Sequence, residues 1–225
     1  MIEWVWERAS GMDCRADVVV ATDSPEILAG CEGAGATAVL TDPGHPSGTD
    51  RVAEVAALEG FSSAEIVVNL QGDEPLMEVE PVAAAVEEVR AGRPVGTCAT
   101  PILDPAELQD PAVVKVVRRS DGTALYFSRA PIPFHRDGAM DRDFLRQEPA
   151  LRHLGVYAYR RESLFDWVGL PPSRLEKIER LEQLRALEAG MAIGVAVVSE
   201  AEGGVDTPAD ARRIEQRMRE LGLGS

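Results

Sequence analysis

Between residues 16 and 91, short valine-rich apolar runs alternate with helical segments, and this alternation restricts the chain to an α/β sheet with crossover helices. Ala16–Ala21, Ala36–Thr41 and Glu65–Leu70 read as strands. Thr22-Asp23-Ser24 leads into Pro25 and Glu26, which suit a first helical turn, and that helix runs to the glycines at 33 and 35. Further helices are expected from about Thr49 to Glu59 and from Glu78 to Ala91. A β-α-β-α-β-α order implies a parallel, doubly wound sheet.

The third strand ends in the most informative stretch, Asn69-Leu70-Gln71-Gly72-Asp73-Glu74-Pro75. Ile66-Val67-Val68 reads as a strand buried on both faces. Gly72 stops it, and two carboxylates follow at its carboxyl end, the edge where open α/β sheets bind ligands. An acid there is poorly placed for packing and well placed for a divalent cation. A plain acidic turn is the competing reading.

The chain opens on a helix. Ile2, Val5, Trp6 and Ala9 have helical spacing and Gly11 is a stop, with no capping residue and no strand ahead. An α/β domain usually opens with a strand, so a missing first strand is expected.

After Val95 the alternation breaks. Val95–Ile102, Val113–Arg119 and Ala124–Ser128 read as successive strands, with Asp121-Gly122 as a hairpin turn. Phe134–Glu148 reads as a mobile polar loop and Leu154–Tyr159 as a strand. One long helix is expected from Arg174 to Ala189, opened by Ser173 and Glu176 at capping-box spacing, with Leu175, Ile178, Leu181, Leu184 and Leu187 as its apolar stripe. Met191–Val198 reads as a last strand, and Thr207-Pro208 opens a final helix. One domain over 1–225, with an inserted antiparallel or mixed subdomain at roughly 100–160, is the simplest account.

Charge and cysteines narrow the function. Lys and Arg number 23 against 38 Asp and Glu, a formal charge of −15. That balance disfavours nucleic acid and anionic membranes as partners. No apolar run approaches the length of a membrane span, and the start resembles no targeting segment. Cys14, Cys31 and Cys98 have no metal-ligand spacing and read as reduced, mostly buried thiols of a cytoplasmic protein.

Several polar residues remain. Asp206 follows the last strand and precedes the helix at Thr207, so Asp73 and Asp206 could converge on Mg²⁺; a helix-start acid is the alternative for Asp206. Ser47 and Gly48 put a hydroxyl and a glycine turn at a helix amino terminus, either a plain N-cap or a place for an anion or base edge. Tyr126, Ser128, Arg129, Arg152, His153 and Glu182-Gln183 cluster in the inserted region. Arg129 and Arg152 are natural bidentate partners for a substrate carboxylate. His153 reads equally as a core histidine, and His45 and His135 as surface residues. No Ser-His-Asp spacing, CxxC or HExxH supports a nucleophilic hydrolase or a zinc enzyme.

Seven blocks, in order, carry a resemblance. They are His45-Pro46-Ser47-Gly48-Thr49-Asp50-Arg51, Asn69 to Pro75, Val113 to Val116, Ala124 to Pro133, Arg152 to Tyr157, Leu181 to Arg185, and Gly204 to Pro208. Together they resemble the 3-deoxy-manno-octulosonate cytidylyltransferases, or CMP-Kdo synthetases. The resemblance implies a Rossmann-like nucleotide-diphospho-sugar transferase fold, mostly parallel, with a mixed dimerisation subdomain. It implies CMP transfer from CTP to Kdo for lipopolysaccharide synthesis, with Mg²⁺, in a cytoplasmic homodimer. It puts Mg²⁺ on Asp73 and Asp206, cytidine near Ser47, Gly48 and Arg51, and Gln71 in the active site. Kdo falls against Tyr126, Arg129, His153, Glu182 and Gln183. A sialic-acid-type cytidylyltransferase and an inactive, dimerising remnant are the alternatives. The family's opening strand and its Pro-Ala-Arg-x-x-Ser-x-Arg-Leu-Pro-Gly-Lys-Pro-Leu loop have no counterpart after Met1. On that basis these 225 residues, expressed alone, are expected to be inactive and poorly stable.

Overall fold

A computed structural model describes residues 1–12, 17–199 and 208–220. They form two compact units. One takes in Met1–Ala64, Asn69–Val79 and the segment from Glu202; the other takes in Glu65–Val68 and Glu80–Ala201.

In the first unit, α1 (Ile2–Gly11) starts without a side-chain cap and buries Val5 and Ala9. A β-α-β element follows: β1 (Val19–Thr22), α2 (Pro25–Gly33) and β2 (Thr37–Leu40). Ser24 caps α2 by accepting from the Ile27 N–H, and Pro25 occupies the first turn, where its missing N–H costs nothing. Gly35 adopts φ 85°, the left-handed conformation that reverses the chain into β2. β1 and β2 pair in parallel, Val19 opposite Thr37 through Thr22 opposite Leu40. Val20, Cys31 and Ala36 form the core here, with Ile2, Trp6 and Ala38 packed on it. α3 (Gly48–Ala57) follows, then a 3-10 turn at Glu59–Phe61. The C-terminal helix, Pro208–Glu220, supplies Ile214 and Met218 to a second cluster with Leu76 and Trp4. Arg8 ties α1 to the segment after the third strand by donating from Nε to the Met77 carbonyl at 3.0 Å.

The second unit holds a mixed sheet. Its strands are β3 (Ile66–Asn69, the first three residues lying in this unit), β4 (Val95–Ile102), β5 (Lys115–Arg118), β6 (Ala124–Ser128), β7 (Ala150–Arg160) and β8 (Ile193–Val197). The order is β6-β5-β7-β4-β8, with β3 also on β7. β4 and β8 are parallel; β4–β7, β5–β7 and β5–β6 are antiparallel. Asp121-Gly122 makes the β5–β6 turn, Gly122 at φ 86°. α4 (Val79–Arg90) packs on β4 without an intervening side chain: a Cβ on Gly96 would stand 2.0 Å from the Ala85 carbonyl oxygen. Ala85, Val89 and Ala158 line this contact, with Ile66, Val68 and Val86 beside them.

Three helical details differ from the sequence reading. α5 (Pro105–Gln109), capped by Asp104, and α7 (Arg161–Val168) are additional. The expected loop 134–148 contains α6 (Arg142–Gln147), whose cap is Asp141, accepting from the Phe144 N–H at 2.9 Å. A single apolar anchor suffices there: Leu145, fully buried against Ile102, Leu108 and Ala150, contributes about 2 kcal/mol. The long helix is two, α8 (Arg174–Glu179) and α9 (Gln183–Glu188), because Arg180 takes a left-handed conformation at φ 53°. The stripe is broken with it, and Ile178 is exposed. The capping box at Ser173 and Glu176 is present, and Glu176 also holds the buried Arg185 bidentately at 2.6 and 3.0 Å. Cys31 and Cys98 are buried free thiols; Cys14 lies outside the described residues. No helix among the described residues is long and apolar enough to cross a membrane.

Candidate active site

The candidate residues fall into two groups, one in each unit. In the first unit, Gln71 and Asp73 sit in the turn that follows β3. The Asp73 carboxylate is exposed and has no hydrogen bond or ion pair among the described residues. That suits hydrated Mg²⁺, which takes one or two carboxylates and completes its shell with water and phosphate oxygens. No closed cluster of three metal-ligating side chains exists among the described residues. Asp206, the expected second ligand, lies outside them.

Ser47 is the N-cap of α3: it accepts from the Asp50 N–H at 3.2 Å and donates to the Asp50 carboxylate at 2.5 Å. A Cβ on Gly48 would meet nothing within 4 Å, so packing does not require glycine there. Arg51 donates to the Thr41 hydroxyl and pairs with Asp23 at 3.3 Å, fastening α3 to the ends of β1 and β2. His45 is bonded to Glu54, which also accepts from the Asp42 N–H; these bonds, the Asp42 one foremost, pull the Glu54 carboxyl below its ordinary range.

In the second unit, the end of β6 is bound to the break between α8 and α9. Glu179 accepts from the Ser128 hydroxyl at 2.7 Å, the Arg129 N–H at 3.0 Å and the Tyr126 hydroxyl at 3.4 Å. Burial alone would raise its carboxyl, and these donors outweigh it and hold it low. Arg129 answers with its side chain, donating to the carbonyls of Glu179, Pro111 and Arg180 at 2.9, 2.9 and 3.4 Å. Lys115, fully buried, donates to the carbonyls of Asp110, Val113 and Arg129 at 2.8, 2.6 and 2.6 Å, and desolvation lowers its pKa.

Arg129 and Arg152, expected as bidentate partners for a substrate carboxylate, both hold protein partners in this structure. The helix break leaves carbonyls without helical partners, and Arg129 satisfies them. Arg152 pairs with Glu107 at 3.0 Å.

His153 lies on β7 beside an irregularity. Cys98 faces Leu154 but Thr97 faces Tyr157, so β7 carries two extra residues there. The residue is half-buried, and the Phe127 and Tyr157 rings stand 4.9 and 5.3 Å from the imidazole. Burial pushes its pKa down to about 3. The Tyr157 hydroxyl is buried and has no hydrogen-bond partner among the described residues. Its pKa is raised first by burial and further by Tyr159 and the Glu182 carboxylate. Glu182 and the buried Gln183 open α9, directly after the break that Arg129 secures.

The His153 shift has a signed consequence. An unfolded histidine titrates near about 6.5, so between that value and about 3 the unfolded chain binds the proton that the folded chain refuses. Stability is unaffected above this window and falls as pH drops through it. From pH about 7 to about 5 a loss of about 2 kcal/mol is expected in urea unfolding, and His153→Gln should remove it. A flat profile in the unmodified protein would mean that the folded imidazole takes up the proton.

Comparison with known proteins places this arrangement. The Cytidylyltransferase family model matches residues 1–193. The chain belongs to that family. The 3-deoxy-manno-octulosonate cytidylyltransferase of Gemmatimonas aurantiaca is 50% identical over 211 residues, covering 93% of this chain and 80% of the relative. A solved CMP:2-keto-3-deoxy-manno-octonic acid synthetase complexed with CTP superposes with TM-score 0.87 at 38% identity, covering 98% of this chain and 88% of that one. 4-Diphosphocytidyl-2C-methyl-D-erythritol synthase, at TM-score 0.59 and 14% identity, shares the fold alone. The α/β nucleotidyltransferase fold expected from the sequence thus holds, with parallel and antiparallel pairs in the mixed sheet.

Two residues of the second group gave no site signal in sequence. Thr97 reads as an ordinary strand former, and Glu179 as a solvent-facing helix residue. Tyr157 was findable, because in a strand it shares the parity of His153.

Proposed function

We propose that this chain transfers CMP from CTP to the anomeric hydroxyl of 3-deoxy-D-manno-octulosonate (Kdo). The oxygen–Pα bond forms, the bond from Pα to the bridging oxygen breaks, the hydroxyl proton is lost and pyrophosphate leaves. The observation that carries this reading is the near end-to-end similarity to a CMP-Kdo synthetase solved with CTP. Mg²⁺, where bound, offsets charge on the phosphate oxygens. Asp73 and Asp206 are the residues proposed to hold it, Asp73 being an exposed carboxylate unpaired among the described residues. Ser47, Gly48 and Arg51 are assigned to the cytidine side and Gln71 to the reacting centre. Tyr126, His153, Glu182 and Gln183 are assigned to the sugar, with Tyr157 added for its unpartnered buried hydroxyl. Arg129 serves the sugar indirectly, by fixing the chain before Glu182. A cytoplasmic homodimer is part of the same proposal.

The test is pyrophosphate release and ³¹P NMR of the product, on protein expressed from the full reading frame, with CTP, Kdo and Mg²⁺. CMP-Kdo is the expected product. Equal turnover with sialic acid, or no turnover with Kdo at any Mg²⁺ concentration, would overturn the reading.

A further inference from the structure

We infer that Thr97 is a positioning residue: its hydroxyl holds His153 as the Nε2–H tautomer and leaves Nδ1 as a bare acceptor for a hydroxyl of the sugar. The second half rests on the function proposed above; the first does not.

The argument counts protons. Thr97 Oγ1 lies 2.7 Å from the Val156 carbonyl oxygen, 3.2 Å from that of Leu154 and 3.1 Å from His153 Nε2. The two carbonyls can only accept, and a hydroxyl has one proton. If that proton went to Nε2, the oxygen would face Val156 O across 2.7 Å with lone pair against lone pair. The proton therefore goes to the carbonyls, of which that of Val156 belongs to a residue with no partner in the β4–β7 register. The hydroxyl lone pairs then accept from His153, and Nε2 carries the hydrogen. Thr97 is fully buried, so no exposed water competes for this arrangement.

Nδ1 makes no hydrogen bond to any described residue. A second proton there would create a cation among the Phe127 and Tyr157 rings and the strand backbone, and burial opposes it. A bare Nδ1 can accept from a hydroxyl. It cannot donate to a carboxylate or a phosphate. His153 is thereby restricted to one part of an acidic sugar, its hydroxyls. The fold sets that restriction before any substrate arrives.

Long-range ¹H–¹⁵N spectra of the ¹⁵N-histidine-labelled protein read the tautomer directly, and His45, His135 and His153 are few enough to assign by substitution. With no ligand present, His153 is expected to show a protonated Nε2 and an unprotonated Nδ1; the opposite tautomer, or a cation near neutral pH, overturns the inference. Added Kdo should shift the Nδ1 resonance, and saturation without a shift overturns the acceptor role alone. Thr97→Ser should keep both tautomer and KM. Thr97→Val should yield mixed tautomers and raise the KM for Kdo about tenfold, with the KM for CTP unchanged. If Thr97→Val fails to fold, the unmodified protein and Thr97→Ser still decide. Because the ligand-free spectrum needs no turnover, a failed activity assay strikes the proposed function without touching the tautomer.

Discussion

Asp73→Asn should lower CMP transfer at least about 100-fold while leaving the fold intact, since the Mg²⁺ proposed at this turn would supply a Lewis-acid contribution of several kcal/mol through an anionic oxygen. Asparagine keeps the size and one oxygen but removes the charge. A divalent cation is held chiefly by that charge, and an amide oxygen is a weak substitute. The structure separates this effect from stability. Asp73 is exposed, caps no helix and pairs with no cation among the described residues. Its replacement should move the unfolding free energy by no more than about 0.5 kcal/mol, in either direction. The decisive measurement is a Mg²⁺ titration of pyrophosphate release, with melting curves alongside. A shifted Mg²⁺ optimum places Asp73 at the metal. Activity within twofold of the parent at all Mg²⁺ concentrations would remove it from the site, and Asp206→Asn should be compared in the same series.

The strand and helix alternation was legible because valine-rich runs of strand length recur between helical segments, even though β1, β2 and β3 are only partly buried. β4 and β6 were bounded in sequence as the structure bounds them, and Asp121-Gly122 marked its own turn. α6 was not legible: one buried leucine among charges leaves no stripe to read. The break at Arg180 was invisible for another reason. A left-handed arginine carries no sequence mark, and the cost of that conformation is offset by carbonyl contacts from Arg129, far away in the chain. The same asymmetry governs the site. The placement of Asp73 and Ser47 was readable, because a strand end and a helix start both leave a mark in sequence. The carbonyl contacts of Arg129 were not, since nothing in sequence marks the carbonyls that a helix break leaves open. Thr97 matters only through a bulge whose register involves residues more than fifty positions away.

Glu179→Ala should cost about 2–4 kcal/mol, the second largest effect expected, because it strands donors rather than merely deleting a charge. Ser128 is buried, and its hydroxyl and the Arg129 N–H both end on this carboxylate. With an alanine there, neither has another acceptor in place. The loss should spread to the Arg129 side chain, which donates to the Glu179 and Arg180 carbonyls and so depends on the same backbone position. Kdo binding should weaken with it, since Glu182 and Gln183 follow immediately. An exposed ion pair supplies the control. Glu87 pairs with Arg90 at 2.7 Å, but both side chains are more than 60% exposed, and Glu87→Ala should change stability by under about 0.5 kcal/mol. The pH dependence gives a second check. The Glu179 carboxyl is held below its unfolded value, so its contribution is complete above about pH 4.5 and lost as pH falls through the lower, folded value. The gap between parent and Glu179→Ala should therefore be widest near neutrality and narrow in acid. Urea unfolding at several pH values measures it. A variant as stable as Glu87→Ala, or a gap that does not narrow in acid, would show that the carboxylate does not hold the end of β6 to the helix break.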